Sequence, residues 1–218
     1  MVEVSTSILS VEKENAVKTF YDLEVGKTNY FHIDVMDGKF VEKDTTSIMK
    51  DYSLTLAHIT NIGLDVHLMV EDIEMFLDEY IELNPEYITF HIEASKTNER
   101  TMKIINTIKE NGIKVGISVS PDTSIETIKE YLPYVHMVLV MTVVPGKGGQ
   151  KLIPETLEKV KELKKYLDEN NLDIPIEVDG GINADTAEAA KEAGADILVA
   201  GSYIINAENY FEAIKNLK

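Results

Sequence analysis

The sequence predicts an α/β protein, folded as a single closed (β/α)8 barrel over residues 1–218. Short runs rich in β-branched and aromatic residues alternate with longer, charged amphipathic segments. Eight such pairs follow one another with no linker and no low-complexity stretch. Strands that alternate with helices form a parallel sheet with helical crossovers, so eight units in this length favour a closed barrel. An open doubly wound sheet is the alternative.

The eight units can be placed in order along the chain. The predicted strands are residues 3–9, 29–36, 64–69, 87–91, 115–119, 136–141, 174–179 and 196–200. The predicted helices are residues 11–24, 46–58, 72–83, 98–111, 123–132, 154–170, 184–193 and 207–217. Glycines are typical of helix ends, and we expect Gly63, Gly112 and Gly194 to follow the second, fourth and seventh helices. Ser124 is a candidate cap for the fifth helix, and Pro154 suits the first turn of the sixth.

Composition and charge exclude several classes of function. The net charge of −17 disfavours general binding to nucleic acid, because the phosphates would be repelled. The absence of cysteine excludes disulfides and thiolate metal sites. No apolar run approaches the ~18 residues of a membrane helix, and the N-terminal residues do not resemble a secretory signal. We therefore expect a cytoplasmic protein with no nucleic-acid or membrane partner.

Strand two carries side chains suited to a metal site. Side chains alternate along a strand, so His32 and Asp34 share one face while their apolar neighbours share the other. The apolar face suits packing against helices, which leaves His32 and Asp34 inside the barrel, where unpaired charges are costly. His67 and Asp179 lie at matching positions on strands three and seven. Together His32, Asp34, His67 and Asp179, here called the His–Asp cluster, form a candidate divalent-metal site.

The chemistry of this cluster limits the choice of ion without fixing it. Nitrogen and oxygen ligands without sulfur suit zinc, iron(II), cobalt or manganese, and the sequence does not choose among them. The alternative is that the histidines only pair with neighbouring carboxylates in the core. His91, at the end of strand four, faces the same end of a barrel and is a candidate substrate contact.

Three glycine-bearing loops follow strands six, seven and eight, at residues 145–150, 179–183 and 200–202. Glycines allow backbone N–H groups to approach an anion closely. Loops after the last strands of a barrel, with a short helix N-terminus, form a recurrent phosphate site. Backbone groups could thus bind a phosphorylated substrate despite the negative net charge.

These motifs together resemble those of the ribulose-phosphate 3-epimerases. The segments that carry the resemblance are SILS, HIDVMDGKFV, DVHLMVED, ITFHIEA, VLVMTVVPGKGGQKLIPETLEKV, IEVDGGI and AGS, in this order from Ser7 to about Tyr203. The resemblance implies a TIM barrel and an isomerase of the pentose phosphate pathway that converts ribulose 5-phosphate to xylulose 5-phosphate. It also implies one divalent metal ion, no organic cofactor and a homo-oligomer.

The resemblance further implies roles for individual residues. The His–Asp cluster is expected to bind the metal, and Asp34 and Asp179 are expected to be the two acid-base carboxylates. A metal can stabilise an enediolate, and two carboxylates on its opposite sides can exchange the roles of base and acid. The expected substrate contacts are Ser7, His67, Gly146, Lys147, Gly148, Gly149, Gly180, Gly181, Gly201 and Ser202.

The sequence departs from the family pattern in two loops over the site. Lys147 replaces a phenylalanine, Lys39 replaces a histidine, and Glu42 and Lys43 replace a proline and an asparagine. We hypothesise that Lys147 reaches the substrate phosphate, and the alternative is a solvated loop lysine. The alternative functions are an allulose 6-phosphate 3-epimerase, a phosphate-binding barrel decarboxylase or synthase, and a non-catalytic sugar-phosphate-binding barrel. The absence of an inward-facing strand lysine disfavours the decarboxylase or synthase.

Overall fold

The computed structural model describes residues 2–218, and it contains a closed barrel of eight parallel strands in sequential order. The strands are β1 Glu3–Ser7, β2 Tyr30–Met36, β3 Gly63–Met69, β4 Tyr87–His91, β5 Lys114–Val119, β6 Met137–Met141, β7 Ile176–Asp179 and β8 Ile197–Ala200. Each strand pairs in parallel with the next, and pairing of β8 with β1 closes the ring. The predicted (β/α)8 fold is therefore confirmed.

Helices on the outside of the barrel connect the successive strands, except that 3-10 turns connect β5 to β6. They are α1 Ala16–Val25, α2 Thr46–Ile59, α3 Ile73–Ile81, α4 Ile92–Ser95, α5 Asn98–Glu110, α6 Glu155–Glu169, α7 Ala184–Ala193, α8 Ser202–Ile205 and α9 Tyr210–Lys215. Among residues 2–218, none of them is long and apolar enough to cross a membrane. Gly194 ends α7 in the left-handed conformation, as expected for a glycine after a helix.

The sequence prediction was wrong in three places. Residues 123–132 do not form the predicted α-helix. This part of the chain instead contains two 3-10 turns, Ile125–Thr127 and Leu132–Tyr134. Pro133 lacks an N–H and cannot donate an i→i−4 hydrogen bond to Lys129, so an α-helix could not continue past residue 132. Gly63 begins β3 rather than ending the second helix. The four-residue helices α4 and α8 were not predicted, because one turn is too short to show a helical period.

The main hydrophobic core lies between the outer face of the barrel and the helices. Phe31, Ile33 and Val35 of β2 point outward and are fully buried. The ring of Phe31 packs edge-on against Phe20 of α1 at 5.9 Å, and Phe20 packs in the same way against Tyr52 of α2 at 5.4 Å. Each such buried side chain contributes roughly 1.5–3 kcal/mol. Because the apolar residues of β2 occupy this outer layer, its polar residues face the interior.

The N-terminal end of the barrel interior is closed by a basal layer of Tyr30, Tyr87, Met137 and Ile197. The rings of Tyr30 and Tyr87 meet edge to face at 5.9 Å, and the Tyr30 hydroxyl donates to Glu3 at 2.9 Å. In the described part of the chain, the interior therefore opens toward the carboxyl ends of the strands, where barrel active sites lie.

Candidate metal centre and active site

The His–Asp cluster lies inside the barrel near the carboxyl ends of β2, β3 and β7, and parallel pairing places Asp34 beside His67. Nε2 of His32 lies 3.6 Å from Oδ1 of Asp34 and 3.8 Å from Oδ2 of Asp179. Nδ1 of His67 lies 3.8 Å and 3.7 Å from the same two oxygens. These separations are close to the ~3.4 Å between ligands of a tetrahedral ion with bonds of about 2.1 Å.

The two histidine nitrogens that face the carboxylates are buried and have no hydrogen-bond partner among residues 2–218. They are Nε2 of His32 and Nδ1 of His67. The opposite nitrogen of each ring is engaged, since Nδ1 of His32 lies 2.6 Å from Asp65 and Nε2 of His67 lies 2.9 Å from His91. Buried polar atoms are rarely left unpaired, and a divalent cation between the four side chains would satisfy both nitrogens. The residues present thus fit a metal ion.

The two carboxylates of the cluster have opposite electrostatic environments. Burial would raise the pKa of Asp34, but the neighbouring His32 and His67 outweigh it and hold that pKa well below its usual range. Ser7 also donates a hydrogen bond of 2.7 Å to Asp34. Burial raises the pKa of Asp179 to about 7, with the nearby charge of Asp34 adding to the effect. At neutral pH one carboxyl is ionised while the other still holds a proton in part of the molecules, a pattern typical of acid-base pairs.

A second pair of carboxyl groups lies beneath the cluster, and sequence reasoning missed it. Asp65 accepts hydrogen bonds from Ser5 at 2.7 Å and from His32, and it is fully buried beside Glu177. Burial and the charge of Asp65 raise the pKa of Glu177 well above its usual range, so we expect Glu177 to be neutral. Alternation along β3 and β7 could have found both, because they lie two residues before His67 and Asp179.

His91 lies behind His67 and does not line the cleft that is described below. Its ring is fully buried and meets the His67 ring edge to edge, with 5.0 Å between ring centroids and 25° between the ring planes. Its Nδ1 lies 3.1 Å from Oε2 of Glu93. Burial would raise the pKa of Glu93, but the hydrogen bond with His91 lowers it to about 2. His91 therefore contacts a cluster residue, and no sequence pattern indicates the contact of Glu93 with His91.

A cleft of about 610 Å³, including its open mouth, lies directly above Asp34 and Asp179. Met36, Met69 and Met141 line its floor with little exposure to solvent. The other lining residues are Ser7, Leu9, Ser10, Asp34, Val143, Pro145, Gly146, Lys147, Gly148, Gly149, Gln150, Asp179, Gly180, Gly181, Ile182, Val199, Gly201 and Ser202. Of the substrate contacts expected from the sequence, all except His67 line this cleft, and His67 is buried beneath it.

Two glycines after β7 are required by the shape of the loop. Gly180 has φ of +124°, and a Cβ there would lie 2.3 Å from Val143. Gly181 has φ of +68°, and a Cβ there would lie 2.2 Å from the backbone nitrogen of Leu152. A side chain at either position would force the loops after β6 and β7 apart, and these two loops form one wall of the cleft.

Lys147 lies at the mouth of the cleft in the loop after β6. Its side chain is 74% exposed, and its Nζ lies 3.9 Å from Glu42, whose side chain is 92% exposed. An ion pair this exposed contributes little to stability. The lysine is therefore free to move toward a ligand in the cleft.

Comparisons with known proteins agree with this arrangement. The profile of the ribulose-phosphate 3 epimerase family matches residues 3–205. The ribulose-phosphate 3-epimerase of Methanocaldococcus jannaschii is 40% identical over 218 residues, which cover 100% of this chain and 90% of that protein. The enzyme of Bacillus subtilis is 37% identical over 219 residues and covers 100% of this chain and 99% of that protein. The structure of a 3-hexulose-6-phosphate synthase superposes with a TM-score of 0.72 at 14% identity, covering 99% and 97% of the two chains, which shows a shared fold.

Proposed function

The chain belongs to the ribulose-phosphate 3-epimerase family of isomerases, and on that premise we propose that it inverts C3 of ribulose 5-phosphate to give xylulose 5-phosphate. We further propose that the reaction depends on a divalent metal ion held by the His–Asp cluster. One observation carries this proposal: the buried Nε2 of His32 and Nδ1 of His67 face Asp34 and Asp179 with no partner of their own. A cation is the simplest group that satisfies all four side chains.

The chemistry follows from the two carboxyl groups. Inversion at C3 requires removal of a proton next to the carbonyl and return of a proton to the opposite face. A bound divalent cation supplies positive charge that stabilises the negative charge developing on the ketose oxygens. Asp34, held ionised and oriented by Ser7, is suited to accept the C3 proton. Asp179, the second carboxyl group of the cluster, is suited to deliver one from the other side, and the roles exchange in the reverse reaction.

The substrate phosphate is proposed to bind at the far end of the cleft from the carboxylates. The loops after β6, β7 and β8 supply glycines there, among them Gly146, Gly181 and Gly201. Close approach of backbone N–H groups provides anion binding without a large positive charge, which suits a chain of net charge −17. The three methionines then face the sugar carbons between the phosphate and the carboxylates.

The decisive test follows C3 by NMR in heavy water. The protein is incubated with ribulose 5-phosphate, with and without a chelator, and Asp34→Asn serves as a matched variant of equal size. We expect chelator-sensitive formation of xylulose 5-phosphate with solvent deuterium at C3, and none in the variant. Deuterium exchange with allulose 6-phosphate but not with ribulose 5-phosphate would support the same reaction on a different substrate. No exchange with either sugar would refute the proposed activity in favour of a non-catalytic sugar-phosphate-binding barrel.

A further inference from the structure

A chain of hydrogen bonds leads from the loop after β5 to the buried side of His67. Oε1 of Glu93 accepts from the backbone N–H of Ser120 at 2.8 Å and from the hydroxyl of Thr123. Oε2 of the same carboxylate lies 3.1 Å from Nδ1 of His91. Nε2 of His91 lies 2.9 Å from Nε2 of His67. Neither Glu93 nor His91 lines the cleft, so the chain contacts the site only through His67.

We propose that His91 and Glu93 are positioning residues that hold His67 with the bare lone pair of Nδ1 facing Asp34 and Asp179. This inference rests on the metal site proposed above, because a neutral imidazole binds a cation only through a nitrogen that carries no hydrogen. Hydrogen-bonding partners that fix the tautomer of a metal-binding histidine are a general feature of such sites. Here the partner would be a second histidine and, behind it, a carboxylate.

The direction of the hydrogens follows from the chemistry of each partner. A carboxylate can only accept, so Nδ1 of His91 carries the hydrogen that faces Glu93. His91 is fully buried and neutral, which leaves its Nε2 as an acceptor. Nε2 of His67 must then be the donor across the 2.9 Å contact. The remaining nitrogen of His67, Nδ1, is left without a hydrogen, in agreement with its lack of any hydrogen-bond partner.

The opposite arrangement would block the site. If Nδ1 of His91 faced a donor, the hydrogen of that ring would move to Nε2 and point at His67. His67 would then accept at Nε2 and carry its own hydrogen on Nδ1. That hydrogen would face the oxygens of Asp34 and Asp179 at 3.8 Å and 3.7 Å, too far for a hydrogen bond, and would occupy the position that a cation needs.

The two histidines of the cluster are therefore oriented by different routes. His32 contacts its carboxylate, Asp65, directly at 2.6 Å inside the barrel. The Nε2 side of His67 reaches its carboxylate through His91, and that carboxylate belongs to Glu93 of α4. Phe40, in the loop after β2, packs against His91 with 4.9 Å between ring centroids. Full burial holds the His91 ring in the position that the relay requires.

Glu93→Gln tests the inference without changing the size of the side chain. The N–H of Ser120 and the hydroxyl of Thr123 both donate, so the amide oxygen of the glutamine is expected to face them. Its NH₂ group then faces Nδ1 of His91, and both imidazoles reverse their tautomers. Glu71→Gln is the matched control, because Glu71 pairs only with Lys96 at 3.0 Å on the surface near the same end of the barrel.

Two measurements report on the relay, and the first needs no metal. Nitrogen-15 NMR of the metal-free protein assigns the tautomer of His67, whose signals are identified by their loss in His67→Asn. We expect the Nε2–H form in the natural protein and in Glu71→Gln, and the Nδ1–H form in Glu93→Gln. Titration with Co²⁺, followed by visible absorption, is expected to show about 10–100-fold weaker binding to Glu93→Gln, the range typical of such partners.

The outcomes separate this inference from the proposed function. An Nε2–H form of His67 that persists in Glu93→Gln, with Co²⁺ affinity equal to that of the control, would overturn the relay. Reversal of the tautomer in Glu93→Gln, together with no Co²⁺ binding by the natural protein, would support the relay and refute the metal site. If Glu93→Gln does not fold, Glu93→Ala replaces it and is expected to give a mixture of both tautomers. A single unchanged tautomer there would also overturn the inference.

Discussion

Replacing Asp179 by asparagine should stabilise the metal-free protein while abolishing its activity. Burial raises the pKa of Asp179 from 3.8 to about 7, which means that the folded protein disfavours the ionised carboxylate. A pKa difference of one unit corresponds to about 1.4 kcal/mol. The full difference would amount to about 4 kcal/mol, and the 16% exposure of the side chain reduces this to roughly 2–4 kcal/mol. Asparagine has the same shape and no charge to bury.

The sign of the pH dependence follows from the raised pKa of Asp179. A group with a folded-state pKa above its unfolded value contributes its full stability below pH 3.8, and this contribution is lost as the pH rises through about 7. The metal-free natural protein should therefore lose up to ~1.4 kcal/mol per pH unit relative to Asp179→Asn over that window. The two proteins should differ least near pH 4 and most at pH 8.

Urea unfolding in the presence of a chelator, followed by circular dichroism at several pH values, measures this difference. Addition of Zn²⁺ should reverse the order of stability, because only the natural protein retains all four side chains of the cluster. Turnover by Asp179→Asn should fall by at least about 100-fold, the lower range for loss of an acid-base group. The prediction is contradicted if Asp179→Asn is no more stable than the natural protein at pH 8. It is also contradicted if the difference in stability between the two proteins at pH 5 equals that at pH 8.

Three further predictions concern the cleft. Ser7→Ala removes the hydrogen bond to Asp34 and should lower kcat by a factor that corresponds to about 1.5–3 kcal/mol. Because loss of this bond raises the pKa of Asp34, the acid limb of the kcat/KM profile should move to higher pH. An unchanged pH profile would contradict this role of Ser7. Gly181→Ala should raise KM for the sugar phosphate and lower stability by about 1–3 kcal/mol, measured by steady-state kinetics and urea unfolding, because its Cβ would lie 2.2 Å from the backbone of Leu152. Lys147→Ala should raise KM with little effect on stability, and a KM equal to that of the neighbouring surface variant Lys151→Ala would exclude contact with the phosphate.

The barrel and the His–Asp cluster could both be predicted from the sequence, for the same physical reason. Strand alternation in a parallel barrel is strict, so the H-x-D pattern at His32 and Asp34 fixes which side chains face inward. The same rule would have placed Asp65 and Glu177 in the interior. The comparisons support the family that the motifs indicated, while the roles of individual residues stay predictions.

Other features of the site could not be predicted from local patterns in the sequence. His91 ends a strand and Glu93 lies in the helix that follows, so no single period relates their directions. Their contact depends on the loop after β5, whose Ser120 and Thr123 fix the carboxylate from about thirty residues away. Residues 123–132 carry a helical pattern of residues but contain two 3-10 turns, and Pro133 in the second turn removes one N–H donor.

The basal layer has a kinetic consequence for the proposed metal ion. Because Tyr30, Tyr87, Met137 and Ile197 pack across the opposite end, the route to the buried histidine nitrogens within residues 2–218 passes through the cleft. An ion would have to enter before the sugar and could leave only after the sugar had departed. Bound substrate would block this route, so the protein should lose its metal to a chelator most slowly when it is saturated with sugar phosphate. The basal layer would then also determine the order of binding, with the metal ion before the sugar phosphate.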